Sequence, residues 1–289
     1  MISRDVQNER SENRFILTRV GVTDVKKPVR VRRPDRVTTL TVDLDVFVDL
    51  PSSMKGSHMS RNLEAIGEIV DSSVRQPVAG LEDLSLMICR RLLDRHEYAS
   101  YSEARASAYY FLEKETLLGK KSLERYKLVA RAEVKRGNDF QTKKSIGVEV
   151  VGMTTCPCAM ETVSGGAKNL SRIEQAITHN QRNRTFVMMD VPEGMTVEAD
   201  DLVQVVEDSM SSPTFEILKR EDEAELVKKA HLNPRFVEDV VRGVLMRILE
   251  RYADLPDFVQ VQVKSESEES IHKHNAFAER VTTLGELRR

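Results

Sequence analysis

No apolar run in this 289-residue chain approaches the roughly 18 consecutive residues that cross a bilayer as a helix. The opening stretch "MISRDVQNERSENR" is mostly polar and carries no signal-peptide core. Both absences lead to the expectation of a cytoplasmic protein. Net charge is also nearly missing: 44 lysines and arginines face 46 aspartates and glutamates, a balance of −2. That argues against nucleic acid as a partner and leaves room only for a local basic pocket. Cysteine is scarce, with three residues. Three are too few for a disulfide framework or a four-cysteine zinc site, and there is no C-x-x-C pair. What is present is an ordinary soluble composition, 40% hydrophobic and 31% charged. That suffices for a real core and for one large or two ordinary domains.

Residues 1–12 read as a flexible or loosely attached arm. Val29/Val31 and then Val42/Leu44/Val46/Val48 alternate with period two, predicting strands broken at Pro34-Asp35. Leu63, Ile66, Ile69 and Val70 follow at helical spacing, with Ser60 as the candidate N-cap. A second helix carries Leu84, Met87, Ile88 and Leu92, and Cys89 reads as a packing residue on it. Strand patterns return from about 97 to 134. The first half is thus β-β-α-α-β-β, and the second half loosely repeats it. There a strand runs into "TTCPC", and a helical stretch carries Leu170, Ile173 and Ile177. A strand at "RTFVMMDVP", helices near 200–212, 222–232 and 235–253, and the closing strand "FVQVQVKSESEE" complete it.

Cys156 and Cys158 flank Pro157, and a bridge between them would strain the disulfide dihedral. A metal bound there needs histidines or carboxylates from elsewhere, and thiolate with imidazole and carboxylate suits zinc or ferrous iron. His179 precedes a strand. In an extended segment His272 and His274 would point to one face; a solvated turn is the alternative. On a helical wheel of 235–253, Glu238 falls between Leu245 and Leu249, inside the apolar stripe. A carboxylate there wants a partner, either a buried salt bridge or paired N–H donors of a ligand. Glu223 lies in a charge run, Lys219 to Glu223, that periodicity cannot resolve. Lys55, Arg61 and Arg182 lie near turn residues that suit phosphate contact.

Six segments in order resemble the GTP cyclohydrolases of the type IB/MptA family: "LPSSMKGSHMSR", "TTCPCAM", "THNQR", "ILKREDE", "NPRFVEDVVR" and "ESIHKHNAFAER". The form of "TTCPCAMETV" and "THNQR" is closer to the archaeal branch. The resemblance spans nearly the whole chain. It implies an α+β tunnelling fold (T-fold) of two tandem ββααββ modules, here 13–137 and 138–289. It also implies a homotetramer with active sites at subunit interfaces. By motif position it makes Cys156 the essential cysteine, with Cys158 as a neighbour. Cys156, His179, Glu223 and His272 become metal ligands, Glu269 and His179 proton carriers, and Glu238 the anchor of the guanine edge. Lys55, His58, Arg61 and Arg182 become triphosphate contacts. The implied metal is Fe(2+), with Zn(2+) or Mn(2+) as alternatives. The implied reaction opens the guanine imidazole ring of GTP at C8 and releases formate. In the archaeal branch it yields 7,8-dihydroneopterin 2′,3′-cyclic phosphate for methanopterin biosynthesis. The rivals are the bacterial-type product, dihydroneopterin triphosphate, or a pterin- or nucleotide-binding protein without turnover.

Overall fold

The computed structural model describes residues 6–10, 12–33, 36–137, 139–165 and 177–289. The chain divides into two compact units, Met1–Tyr109 with Val129–Ile146, and Tyr110–Leu128 with Gly147–Arg289.

In the first unit β1 (Leu17–Arg32) and β2 (Val37–Leu50) form a long antiparallel hairpin. The expected break at Pro34-Asp35 lies outside the described residues. Alternation does the sorting: Val42, Leu44, Val46 and Val48 are fully buried, while Asp43 and Asp45 take the opposite face. Helices α1 (Met59–Arg75) and α2 (Leu81–Arg95) supply Ile66 and Val70, and Leu81, Leu84, Ile88, Leu92 and Leu93, to the same core. Each such side chain contributes about 1.5–3 kcal/mol by leaving water. Leu63 and Met87, expected on the buried stripes, are exposed. Ser60 is not the cap, because α1 begins at Met59 with His58 in the extended N-cap conformation. Cys89 is the packing residue expected, fully buried, its Sγ 3.3 Å from the Ala132 carbonyl. Strands β3 (Tyr101–Glu115) and β4 (Lys121–Lys135) follow along the chain, completing the ββααββ order, with Tyr110–Leu128 belonging to the second unit.

His96, fully buried just after α2, is held from both ring nitrogens. Its Nε2 lies 2.7 Å from Asn62 Oδ1 and its Nδ1 2.9 Å from the Tyr98 hydroxyl, which in turn reaches Ser57 Oγ at 2.8 Å. Burial above all, then the positive charges of Arg61 and His58, push its pKa down to about 4. A depressed histidine stabilises the fold above its unfolded value near 6.5, and that stability is lost as pH falls toward 4. Urea denaturation at pH 6.5 and pH 5 should therefore show a loss of roughly 2 kcal/mol. That loss should be absent from His96→Gln.

The second unit carries β5 (Gln141–Thr155) from Gly147 onward, α3 (Pro157–Val163), β6 (Asn180–Asp190), α4 (Ala199–Glu207), β7 (Ser212–Pro213), α5 (Arg220–His231), α6 (Val237–Arg251), β8 (Gln260–Glu268), β9 (Ala276–Thr283) and α7 (Leu284–Leu287). Its core sets Val187, Met189, Val261 and Val263 of the sheet against Leu202, Val206, Val240, Val244 and Ile248 of α4 and α6. At Gly147 the strands run so close that a Cβ would lie 2.4 Å from the Val187 carbonyl oxygen. The pattern differs from expectation in part. The helix expected over 200–212 stops at Glu207. The expected helix through Leu170 and Ile173 falls on residues outside those described, and Ile177 is exposed and non-helical. The expected closing strand, β8, is followed by β9, antiparallel to it with Ser267 opposite Ala276.

Candidate active site

The C-P-C segment folds as a helix start. Pro157 occupies the first turn of α3, where its missing N–H costs nothing. Cys156 is the N-cap, in extended conformation, its Sγ 3.4 Å from the Ala159 N–H. All three cysteines are free: Cys89 buried, Cys156 half-buried, Cys158 exposed. The Cys156 N–H donates to the His179 carbonyl at 3.1 Å, and Thr178 Oγ1 to the Cys156 carbonyl at 2.6 Å. These two bonds lock "THNQR" against the cysteine.

His179 lies immediately before β6, and its Nδ1 is 3.0 Å from Gln181 Oε1, 3.3 Å from Ser270 Oγ and 4.0 Å from Glu269 Oε2. Sequence reasoning passed over Gln181. The signal was available, since residues two apart on a strand share a face. Below this group lies a wholly buried polar cluster of Thr154, Asn183, Thr185, Ser265 and Ser267. Asn183 Nδ2 donates to Ser265 Oγ (2.8 Å) and Ser267 Oγ (3.0 Å), and its Oδ1 accepts from Thr185 Oγ1 (2.7 Å). Ser267 also meets Thr154 Oγ1 at 3.1 Å. Side chains thus tie β5, β6 and β8 together under the histidine. Asn183→Leu would leave several buried hydroxyls short of partners. A loss of about 2–4 kcal/mol is expected from the shift in urea midpoint.

The start of α6 is anchored to the same strand end. The Arg235 N–H donates to the Thr155 carbonyl at 3.0 Å, and Asn233 Nδ2 to the Met210 carbonyl at 3.0 Å. Glu238 itself is exposed, against the wheel's placement in the buried stripe. Helix α6 begins at Val237, and Glu238 sits in its first turn at the margin of the apolar stripe, beside exposed Arg242, whereas Val237 and Val240 of the same turn are buried. Phe236 is exposed as well, and Leu249 is only half-buried. Pro234 precedes the helix rather than opening it, and Asp239 Oδ2 accepts from the Phe236 N–H at 3.0 Å.

In the charge run, Glu223 is exposed on the first turn of α5, and the anchored carboxylate is Asp222. Asp222 is buried and accepts from the Leu118 N–H at 3.2 Å. The Thr116 hydroxyl first, and that backbone N–H, hold its carboxyl below the usual range. His272 and His274 are exposed on the turn between β8 and β9, not in an extended segment. The chain must reverse there to pair the two strands. Their rings stack at 5.1 Å between centroids. Arg182 is exposed on β6, beside a cavity of about 250 Å³ also lined by Arg125, Tyr126 and Glu216.

Lys55, His58 and Arg61 gather at the start of α1 in the first unit. The Lys55 and Gly56 N–H groups donate to carbonyls of Gln7 and Glu9, and Lys55 Nζ lies 3.8 Å from Glu9 Oε2. The described part of the N-terminal arm is thereby pinned at this segment. Arg61 donates to the Arg95 carbonyl at 3.3 Å.

The donor chemistry of Cys156, His179, Glu223 and His272 fits a divalent metal. Cys156 is half-buried, and His179 is held at Nδ1 by Gln181 Oε1. Among the described residues, however, no three His, Cys, Asp or Glu side chains converge closely enough within the chain to hold an ion.

Residues 4–278 match the family described as Type I GTP cyclohydrolase folE2. The chain belongs to this family. It is 43% identical to GTP cyclohydrolase MptA of Methanosphaera stadtmanae, over 98% of this chain and 96% of that protein. It is 42% identical to GTP cyclohydrolase MptA 2 of Methanocella arvoryzae, over 100% and 98% respectively. Among solved structures it resembles uricase from Arthrobacter globiformis, with a TM-score of 0.52, 9% identity, and 92% and 93% of the two chains covered. A Bacillus sp. TB-90 urate oxidase mutant gives a TM-score of 0.51 at 12% identity, covering 92% of this chain and 99% of that one. At such identities the likeness speaks for the fold alone. This family member has the α+β tunnelling fold, and among its described residues no helix is long and apolar enough to cross a membrane.

Proposed function

We propose that this chain is a metal-dependent GTP cyclohydrolase. It opens the guanine imidazole ring at C8, releases formate and yields 7,8-dihydroneopterin 2′,3′-cyclic phosphate. The observation that carries the reading is the Cys156–His179 backbone hydrogen bond, which joins the essential-cysteine motif to the histidine motif in a member of this family. The names of the MptA relatives support GTP as substrate.

Cys156 and His179 would hold the ion, with His272 and Glu223 completing the set. The interface active sites of a homotetramer would account for the exposure of Glu223, His272 and Glu238 in the single chain. A bound ferrous ion supplies Lewis-acid activation of water. The residues of the chain do the rest. Glu238 accepts from the N1–H and exocyclic amine of guanine, so a purine lacking those donors leaves the carboxylate unpaired. Glu269 or His179 carries protons between the opening ring and solvent. Lys55, His58, Arg61 and Arg182 hold the triphosphate by charge.

The test is anaerobic incubation of metal-stripped protein with GTP and ferrous iron, assaying formate and identifying the pterin by mass. Iron-dependent formate with the cyclic phosphate is expected. A triphosphate product would move the chain to the bacterial type. Absence of formate with ferrous, zinc and manganous ions, from assembled protein, would sink the enzyme reading.

A further inference from the structure

We infer that Gln181 is a positioning residue for His179: it holds the ring as the Nδ1–H tautomer and leaves Nε2 as the free lone pair. Only the consequence for catalysis rests on the cyclohydrolase reading; the tautomer does not. A neutral imidazole has one N–H, and the partner of each nitrogen decides where it sits. Around Nδ1 are Gln181 Oε1 at 3.0 Å and Glu269 Oε2 at 4.0 Å, both acceptors, with the Ser270 hydroxyl at 3.3 Å able to play either role. A proton on Nδ1 satisfies the acceptors. A lone pair there would face them, and the carboxylate makes that arrangement the poorer one electrostatically.

The sheet holds Gln181 to this task. It is 8% exposed and faces the same side as His179 and Asn183. Arg182 pairs with Glu268, and Asn183 with Ser267, so Gln181 comes opposite Glu269 at the strand end. One pleat below, Asn183 spends its amide on Ser265, Ser267 and Thr185 and does not compete for Gln181. The same cluster cross-links β6 to β8, keeping Gln181 and Glu269 on one rigid patch. A histidine whose far nitrogen is fixed in this way presents Nε2 to an ion or a proton without a rotational search. Loss of such an outer partner typically weakens metal affinity or activity by 10–100-fold.

The experiment uses metal-free full-length protein with ¹⁵N-labelled histidine, recording long-range ¹H–¹⁵N correlations at alkaline pH. His179 is assigned by its loss in His179→Ala. The expected result is an Nδ1–H pattern for His179 in the parent, retained in Gln181→Glu, whose carboxylate again accepts. In Gln181→Leu the pattern should shift toward Nε2–H, with zinc affinity in chelator competition falling roughly 10–100-fold. An Nε2–H pattern in the parent overturns the inference by itself, whether or not any variant folds. So does a Gln181→Leu protein with tautomer and zinc affinity unchanged. If the parent releases no formate from GTP yet shows the predicted tautomer change, the functional reading fails and the positioning role of Gln181 stands.

Discussion

Replacing Cys156 with alanine is expected to lower formate release from GTP by at least about 10³-fold while the fold survives. The sulfur is half-buried, and its one described polar contact is the 3.4 Å approach of the Ala159 N–H. Losing an N-cap costs about 1 kcal/mol, which in a chain of this size lowers the melting temperature by only a few degrees. Backbone groups that pin the segment remain, because the bonds to His179 and from Thr178 use the main chain of residue 156. Loss of the proposed metal ligand therefore separates cleanly from unfolding. Parallel measurement of formate release, bound metal and melting temperature checks this. A drop of 10 °C or more with little loss of turnover would make Cys156 structural. Cys158→Ala, at an exposed position, should leave all three readings unchanged.

Glu238→Gln should reduce kcat/KM for GTP by about 100-fold and blunt the preference for GTP over inosine triphosphate, which lacks the exocyclic amine. A carboxylate accepting two N–H donors makes charged hydrogen bonds worth about 1.5–3 kcal/mol each, and an amide replaces one acceptor with a clashing donor. Stability should change little. Glu238 is exposed in the first turn of α6, where its charge is worth at most about 1 kcal/mol to the helix. Steady-state kinetics with both nucleotides tests the idea. Equal kcat/KM in parent and variant would leave Glu238 a solvated first-turn carboxylate.

Side-chain alternation made most of the sheet legible. Val42 to Val48 had to bury one face, and a one-residue slip would have turned four valines and leucines to water. Strand β9 was illegible for the opposite reason: it is an edge strand with Thr282 its only buried residue, so no hydrophobic period marks it. Helix α3, at seven residues, is too short for a 3.6-residue period to register. The Glu238 error has another origin. Glu238 lies at the margin of the stripe, beside half-buried Leu249 and exposed Arg242, while the buried line runs through Val237, Val240, Val244 and Ile248.

The chain's own residue order determined the family, the ββααββ sequence of elements and the types of side chain available for chemistry. These depend on local periodicity and on motifs a few residues long. Tertiary structure alone decided which members of each motif meet. It paired Cys156 with His179 through the main chain, buried Asp222 while leaving its neighbour Glu223 in solvent, and set Gln181 against the histidine ring. The physical reason is that burial and hydrogen-bond partnership are properties of surfaces brought together from distant parts of the chain. The identity of the residues does not contain them.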